Sequence, residues 1–314
     1  MEQAISVRGL KKYFKEVKAV DDVSFQVEKG ELFGFLGVNG AGKSTTINML
    51  CTLLSPTAGE AEICGCRLGK KDEDIRRRIG VVWQGNCLDG KLTVKENLYV
   101  RASLYGWGSS RIRERVGKIC EKLGITDIAG RRYEKLSGGQ KRRCEIAAAL
   151  VNTPEVLFLD EPTTGLDPAT RKRVWESLEQ MQREDGVTIF LTTHYMEEAA
   201  RAGHIAVMDA GKIKEWGTPF SLKERFARDR LKLVPGEGRK EQLWEVLERC
   251  RRQGAEGEIQ WKEGFFLMTL LNSLEALPIL REAGSCLGGF ELVQGTMDDV
   301  FLSITGKELE KAAE

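Results

Sequence analysis

The stretch GVNGAGKST, made of Gly37, Val38, Asn39, Gly40, Ala41, Gly42, Lys43, Ser44 and Thr45, lies between the apolar run LFGFL and the helix-like TINML. Gly37, Gly42, Lys43 and Ser44 satisfy the pattern G-x-x-x-x-G-K-[ST], and a strand before it with a helix after it is the context that the pattern's mechanics require. Glycine lets backbone N–H groups turn inward around an anion, and the helix that follows offers its positive end to the same anion. In such a loop the amides cradle phosphates, Lys43 brings a compact charge to the β- and γ-phosphates, and the Ser44 hydroxyl coordinates Mg²⁺. A nucleotide site is therefore expected, on an α/β framework.

A phosphate-bound Mg²⁺ needs a carboxylate from a neighbouring strand. The segment VLFLDEP offers four apolar residues followed by Asp160 and Glu161, at the strand end where ligands gather in open α/β sheets. Asp160 is expected to hold the Mg²⁺ shell through water. Glu161, one residue further out, is expected to orient and deprotonate an attacking water. Alone, the segment could equally be a strand-to-loop transition with solvated acids; beside a phosphate loop the catalytic reading is preferred.

Along the chain, short β-like runs (AISVRGL, VDDVSFQV, LFGFLG, VLFLD, VTIFLTTH) alternate with helical patterns. The alternation argues for a largely parallel core sheet, with an antiparallel edge formed by the first strands. Between about residues 92 and 150 the pattern is mostly helical, which reads as a helical insertion. After GTPFSLKERFARD the composition shifts, and strand, helix, two strands, helix, strand and a last helix follow, through KEQLWEVLERC, FFLMTLL, SLEALPILREAG and MDDVFLSITG. The expected organisation is an α/β domain over residues 1–228 and a small α+β domain over 229–314.

Lys+Arg 48 against Asp+Glu 47 leaves no bulk positive field to draw the chain to nucleic acid, so no nucleic-acid partner is expected. The longest apolar stretches, IAAALV and FFLMTLL, fall short of the roughly 20 residues that span a bilayer, and the first residues carry no signal-peptide core. The chain reads as soluble and intracellular. Its eight cysteines are scattered and read as reduced thiols, and Cys64 and Cys66 have the wrong spacing for a zinc knuckle.

The stretch LSGGQKRR decides among phosphate-loop enzymes. Ser137, Gly138, Gly139 and Gln140 form a turn that opens the helix CEIAAALV, a second anion site with a hydroxyl and unencumbered amides. Here the chain resembles the nucleotide-binding subunits of ATP-binding cassette (ABC) transporters, over roughly residues 5–218. The resemblance implies a P-loop ABC ATPase fold that binds ATP and Mg²⁺. It implies that this signature turn caps the γ-phosphate of an ATP held by a second subunit, in a head-to-tail sandwich dimer of like or related chains.

It further implies that Tyr13 stacks on adenine, with Phe14 as the competing neighbour, and that Gln84 in IGVVWQGNCL reaches Mg²⁺ and the attacking water. Asp167 in TTGLDP would face the partner subunit, and His194 in FLTTHYMEEA would sense the γ-phosphate. TTHYMEEA and the added C-terminal domain look like the drug-resistance and ABC-2-type exporter branch. The function implied is a motor for a separate transmembrane permease, at the cytoplasmic face of the membrane, coupled through the Gln84 loop and the helical insertion, with Leu88, Leu92 and Leu98 near the surface. A soluble ABC-type ATPase of translation or DNA repair is the alternative. Such proteins usually carry paired cassettes, coiled coils or zinc modules.

Overall fold

In the computed structural model, which describes residues 2–252 and 258–306, every residue of LFGFL is buried. A strand without an exposed side has layers packed on both faces. The first of two compact units, Met1–Trp216, is built around it. In chain order this unit contains β1 (Gln3–Phe14), β2 (Val17–Glu28), β3 (Leu32–Leu36), α1 (Lys43–Leu50), β4 (Ala58–Ile63), β5 (Cys66–Arg67), α2 (Asp72–Arg78) and β6 (Ile79–Val82). Three helices follow, α3 (Val94–Ser103), α4 (Ser109–Lys122) and α5 (Gly138–Ala149). The chain then runs through β7 (Val156–Asp160), α6 (Pro168–Asp185), β8 (Thr188–Thr193), α7 (Met196–Ala199), β9 (His204–Asp209) and β10 (Lys212–Gly217).

The main sheet has the order β10-β9-β3-β8-β7-β6, and β9, β3, β8, β7 and β6 run parallel. β7 and β8 are buried at every position, like β3. The register pairs Leu36 with Thr193 and Asp160 with Thr192, so the C-terminal ends of β3, β8 and β7 lie side by side. The phosphate loop leaves one of those ends.

The first strands do not form an edge of this sheet, as the sequence reading expects. They make an antiparallel sheet of their own, β2-β1-β4-β5. β2 alternates buried and exposed residues over its second half, and a strand patterned that way lays one face on a core layer. Phe25 of β2 meets Phe33, Phe35 and Phe190 at centroid separations of 5.5, 5.6 and 5.8 Å. Phe158 joins through Phe190 at 5.4 Å. These rings fill the space between the sheets, each pair contributing about 0.5–1.5 kcal/mol beyond its buried area.

The helical stretch lies where the sequence places it. Thr93 and Glu96 close a capping box on α3, and α4 buries Ile112, Val116, Ile119 and Cys120, the i, i+4, i+7, i+8 stripe of an amphipathic helix. One expectation is corrected here: Leu98 is fully buried, four residues beyond the buried Val94 on the same face of α3. Leu88 and Leu92 are half-buried, and Val100 and Leu104 are the exposed apolar residues.

The second unit, Gly217–Glu314, contains α8 (Pro219–Phe226), β11 (Asp229–Pro235), α9 (Lys240–Arg252), β12 (Ile259–Lys262), β13 (Phe265–Leu270), α10 (Ala276–Ala283), β14 (Leu287–Val293) and α11 (Met297–Thr305). Its sheet is antiparallel, in the order β12-β13-β11-β14. Leu231, Leu233 and Met268 pack with Leu243 and Leu247 of α9 and Ile279 of α10 in a core of this unit's own. The contacts divide the chain at 216/217 and not at 228/229, because α8 packs on α11. Residues 253–257 and 307–314 of the expected second domain lie outside the described residues. Among the described residues no helix is long and apolar enough to cross a membrane.

Candidate nucleotide site

The chain reverses directly after β3. Ala41 N–H donates to the Val38 carbonyl at 3.1 Å, and Gly40 and Gly42 take φ values of 79° and 107°. A Cβ at Gly37 would stand 2.5 Å from the Met208 carbonyl of β9, and one at Gly42 would stand 2.3 Å from the Ala19 carbonyl of β2. No side chain fits either place, so the loop is wedged between the two sheets. Gly211 N–H donates to the Ala41 carbonyl at 2.9 Å and Asp21 N–H to the Gly211 carbonyl at 2.8 Å, which closes the seam.

Gly42 is also the N-cap of α1, which therefore has no side-chain cap. Its first-turn N–H groups are left for an anion. Asn39, Gly40 and Ser44 are exposed and Thr45 is half-buried. Lys43 is buried, and its Nζ donates to the carbonyls of Gly37 at 2.7 Å and Val38 at 3.2 Å. Burial pushes its ammonium below the usual lysine range, with Glu161 and Asp160 opposing.

Asp160, buried at the end of β7, accepts from Thr192 Oγ1 at 2.6 Å and from Ser44 Oγ at 3.3 Å through the same carboxylate oxygen. Ser44, Asp160 and the Gln84 amide supply oxygen donors of the kind a hard divalent cation takes, so Mg²⁺ fits the residues present. Glu161 follows in the left-handed region, φ 46°. Its N–H donates to the Thr192 carbonyl at 3.2 Å and to Thr192 Oγ1 at 3.1 Å.

Four groups converge on the Glu161 carboxylate. Gln84 Nε2 donates to Oε2 at 3.1 Å and Thr164 Oγ1 to the same oxygen at 3.2 Å, while Lys43 Nζ stands 3.9 Å and His194 Nδ1 3.3 Å from Oε1. The buried His194 Nδ1 is near enough to attract the carboxylate when the imidazole carries a proton on both nitrogens, yet makes no aligned hydrogen bond. His194 first, then Lys43 and Thr164, hold the Glu161 carboxyl below the usual range against the opposing effect of burial. Lys43, Ser44, Gln84, Asp160, Glu161 and His194 are thus brought together, as their spacing along the chain could not show.

The signature turn lies elsewhere. Ser137 is the N-cap of α5 and closes a capping box with Gln140. Gly139 faces Thr170 of α6, where an added Cβ would stand 2.2 Å from Thr170 Cγ2. Asp167, exposed, caps α6 by accepting from Thr170 N–H at 2.9 Å, with Pro168 in the first helical turn. Thr170 holds the Asp167 carboxyl below its usual range. Among the described residues no hydrogen bond or ion pair joins residues 137–140 to the phosphate loop.

Tyr13 pairs in register with Lys18, next to the Ala19 carbonyl that abuts Gly42. Its hydroxyl donates to Asp21 Oδ1 at 2.6 Å and Lys18 Nζ lies 5.6 Å from its ring centre. Phe14 is more exposed, at 47%.

Several residues of the site escape a reading of the sequence. Thr192 joins Asp160 to the Glu161 backbone; its one signal is a hydroxyl at the end of an apolar strand. The buried Glu198 accepts from Thr193 Oγ1 at 2.7 Å, from Trp175 Nε1 at 3.3 Å and from Thr163 Oγ1, tying the segments after β7 and β8. Arg142 and Glu145 are buried, and nothing in the run KRRCE marks them apart from their neighbours.

A family model described as ABC transporter matches residues 20–164. The daunorubicin/doxorubicin resistance ATP-binding protein DrrA of Streptomyces peucetius is 37% identical over 99% of this chain and 97% of its own length. The Nod factor export ATP-binding protein I of Cupriavidus metallidurans is 35% identical over 98% of this chain and 99% of its own. Among solved structures, a dimeric post-hydrolysis state of the ATP-binding cassette MJ0796 bound to ADP and Pi superposes with a TM-score of 0.62 at 28% identity, covering 68% of this chain and 98% of that one. With a phosphate loop, paired carboxylates and a glutamine and histidine gathered at one sheet edge, and with identity running along nearly its whole length, the chain belongs to the family of ABC transporter ATP-binding proteins.

Proposed function

We propose that this ABC ATPase is the motor subunit of an exporter, working as a head-to-tail dimer on a separate transmembrane permease at the cytoplasmic face of the membrane. The drug-resistance and Nod factor export names of its relatives support export, and the dimeric state of the MJ0796 cassette supports the pairing. The observation that carries the reading is the convergence of Gln84, Lys43, Thr164 and His194 on Glu161 beside the phosphate loop.

In this reading the amides of residues 37–45 and the Lys43 ammonium hold the phosphates of ATP. Ser44 and Asp160 would hold Mg²⁺, with Gln84 at its rim; the ion supplies charge neutralisation to the phosphate oxygens. Glu161, a carboxylate at neutral pH, takes the proton of the attacking water. Gln84 orients the water, and His194 follows the state of the γ-phosphate from the end of β8. Tyr13 stacks on the base once its ring is freed from Lys18. Ser137, Gly138, Gly139 and Gln140 of one copy cap the nucleotide of the other, with Asp167 at that junction.

The test is Glu161→Gln, which keeps the carboxylate's shape and removes its basicity. ATP affinity should stay near wild type while turnover falls about 10²–10⁴-fold, the usual contribution of a positioned base. Turnover at the wild-type rate would move the role to another group. Recovery of the tagged chain from membranes with a multi-spanning protein is the companion measurement, and recovery with ribosomes or DNA would overturn the transport reading.

A further inference from the structure

Arg142 and Glu145 sit three residues apart on α5, within two turns of the signature turn that opens that helix, and both are buried. The Arg142 guanidinium donates to four backbone carbonyls. Its Nη1 reaches Trp83 at 2.6 Å, its Nη2 reaches Asp160 at 3.3 Å and Glu161 at 3.2 Å, and its Nε reaches Pro162. Trp83 immediately precedes Gln84. Glu145 Oε1 accepts from the N–H groups of Cys87 at 2.8 Å and Leu88 at 3.2 Å, and from the Tyr133 hydroxyl at 2.7 Å.

One stretch of helix therefore grips the Gln84 loop at both ends, and the same guanidinium grips the carbonyl of Glu161. That residue needs holding, because a non-glycine at φ 46° persists only where its surroundings over-determine it. A planar guanidinium aims five N–H donors in a rigid fork, where an ammonium has three that rotate on a flexible stem.

We propose that Arg142 and Glu145 are positioning residues for ATP hydrolysis. They fix the contact between Gln84 and Glu161 from the helix whose first turn is the signature, so that any displacement of that turn is carried along α5 to the base. Neither touches the reacting atoms. The proposal rests on Glu161 being the base, and the experiment separates the two claims.

Arg142→Lys in the whole chain keeps the charge and loses the fork. Its kcat should fall about 10–100-fold while the ATP dissociation constant, read by equilibrium binding, stays within about twofold, the pattern of a contact that matters only in the transition state. In a Glu161→Gln background the lysine should cost nothing further, because both changes disable one unit. A thermally intact Arg142→Lys chain with wild-type kcat overturns the proposal, as does a full further loss in the Glu161→Gln background. Wild-type turnover by Glu161→Gln alone removes the base assignment and this proposal with it. Should the lysine chain not fold, Glu145→Met, of similar length but with no oxygen to accept from the Cys87 and Leu88 N–H groups, decides the matter from the loop's other end. A kcat lowered about tenfold at unchanged affinity upholds the proposal, and wild-type kcat refutes it.

Discussion

Alanine is a better helix former than glycine, yet Gly139→Ala should destabilise this protein. In a helix interior the exchange by itself is worth about 0.5–1 kcal/mol in alanine's favour. Against that, the new Cβ would stand 2.2 Å from Thr170 Cγ2, 3.1 Å from its Oγ1 and 3.2 Å from its Cβ. Rotating Thr170 about χ1 swings Cγ2 and Oγ1 together but leaves the contact at Cβ, which moves only with the backbone of α6, where Thr170 N–H is tied to Asp167. The start of α6 must shift, and overpacking of this kind costs about 1–3 kcal/mol. The net loss is about 0–2.5 kcal/mol by difference, with a midpoint near 1, and each 1 kcal/mol lowers Tm by about 2–4 °C in a unit of this size. The assay is nucleotide-free thermal unfolding of wild type, Gly139→Ala, Thr170→Ser and the double variant. Serine lacks the Cγ2 atom at issue, so the double variant should recover about 1 kcal/mol of the loss as coupling. A Gly139→Ala chain that melts at or above wild type, whatever stands at residue 170, would refute the reasoning.

Two further outcomes are expected. Because the folded protein holds Glu161 below the usual carboxylate range, its charge stabilises fully above the unfolded pKa, about 4.3, and that contribution is lost as pH falls through the depressed value. The Tm gap between wild type and Glu161→Gln should shrink in acid, as pH falls through the depressed value; a gap that widens there contradicts the sign. A chain ending at Gly217 keeps every residue of the nucleotide site and should fold and bind Mg-ATP, whereas one ending near Arg230 strands α8 with its buried Leu222 uncovered and should aggregate more readily. Nucleotide affinity and unfolding of both chains check this, and loss of ATP binding by the shorter one would show a core shared between the units.

The phosphate loop, the Asp160–Glu161 pair and the signature turn were legible because each is contiguous in sequence and each leaves a strand or opens a helix. The helical insertion and the order of elements after residue 229 were legible from periodicity for a similar reason. What sequence could not show is which ends of which elements meet. Glu161 and Gln84 are separated by the whole helical stretch, and only the pairing of β6 with β7 makes them neighbours. Nothing in KRR sets Arg142 apart from Lys141 and Arg143, because its value comes from carbonyls that a linear reading cannot place. Leu98 misled for the opposite reason: near a surface loop in sequence, it falls on the inner face of α3 once helix phase is applied. The separate antiparallel sheet was missed because strand alternation shows that one face is buried without saying against what.

The wedging of residues 37–45 between Ala19 of one sheet and Met208 of the other ties occupancy to motion far from the phosphates. The loop cannot loosen without parting the ends of β2 and β9, so the partial opening that would release a nucleotide also exposes amides on both strands to solvent exchange. A ligand at a hundred times its dissociation constant makes unfolding of the bound form harder by about 2.7 kcal/mol. If that opening abolishes binding, the same linkage slows exchange about a hundredfold at Asp21 and Gly211 as well as in the loop itself. An opening coupled to binding in this way would make a bound ATP a rivet through two sheets.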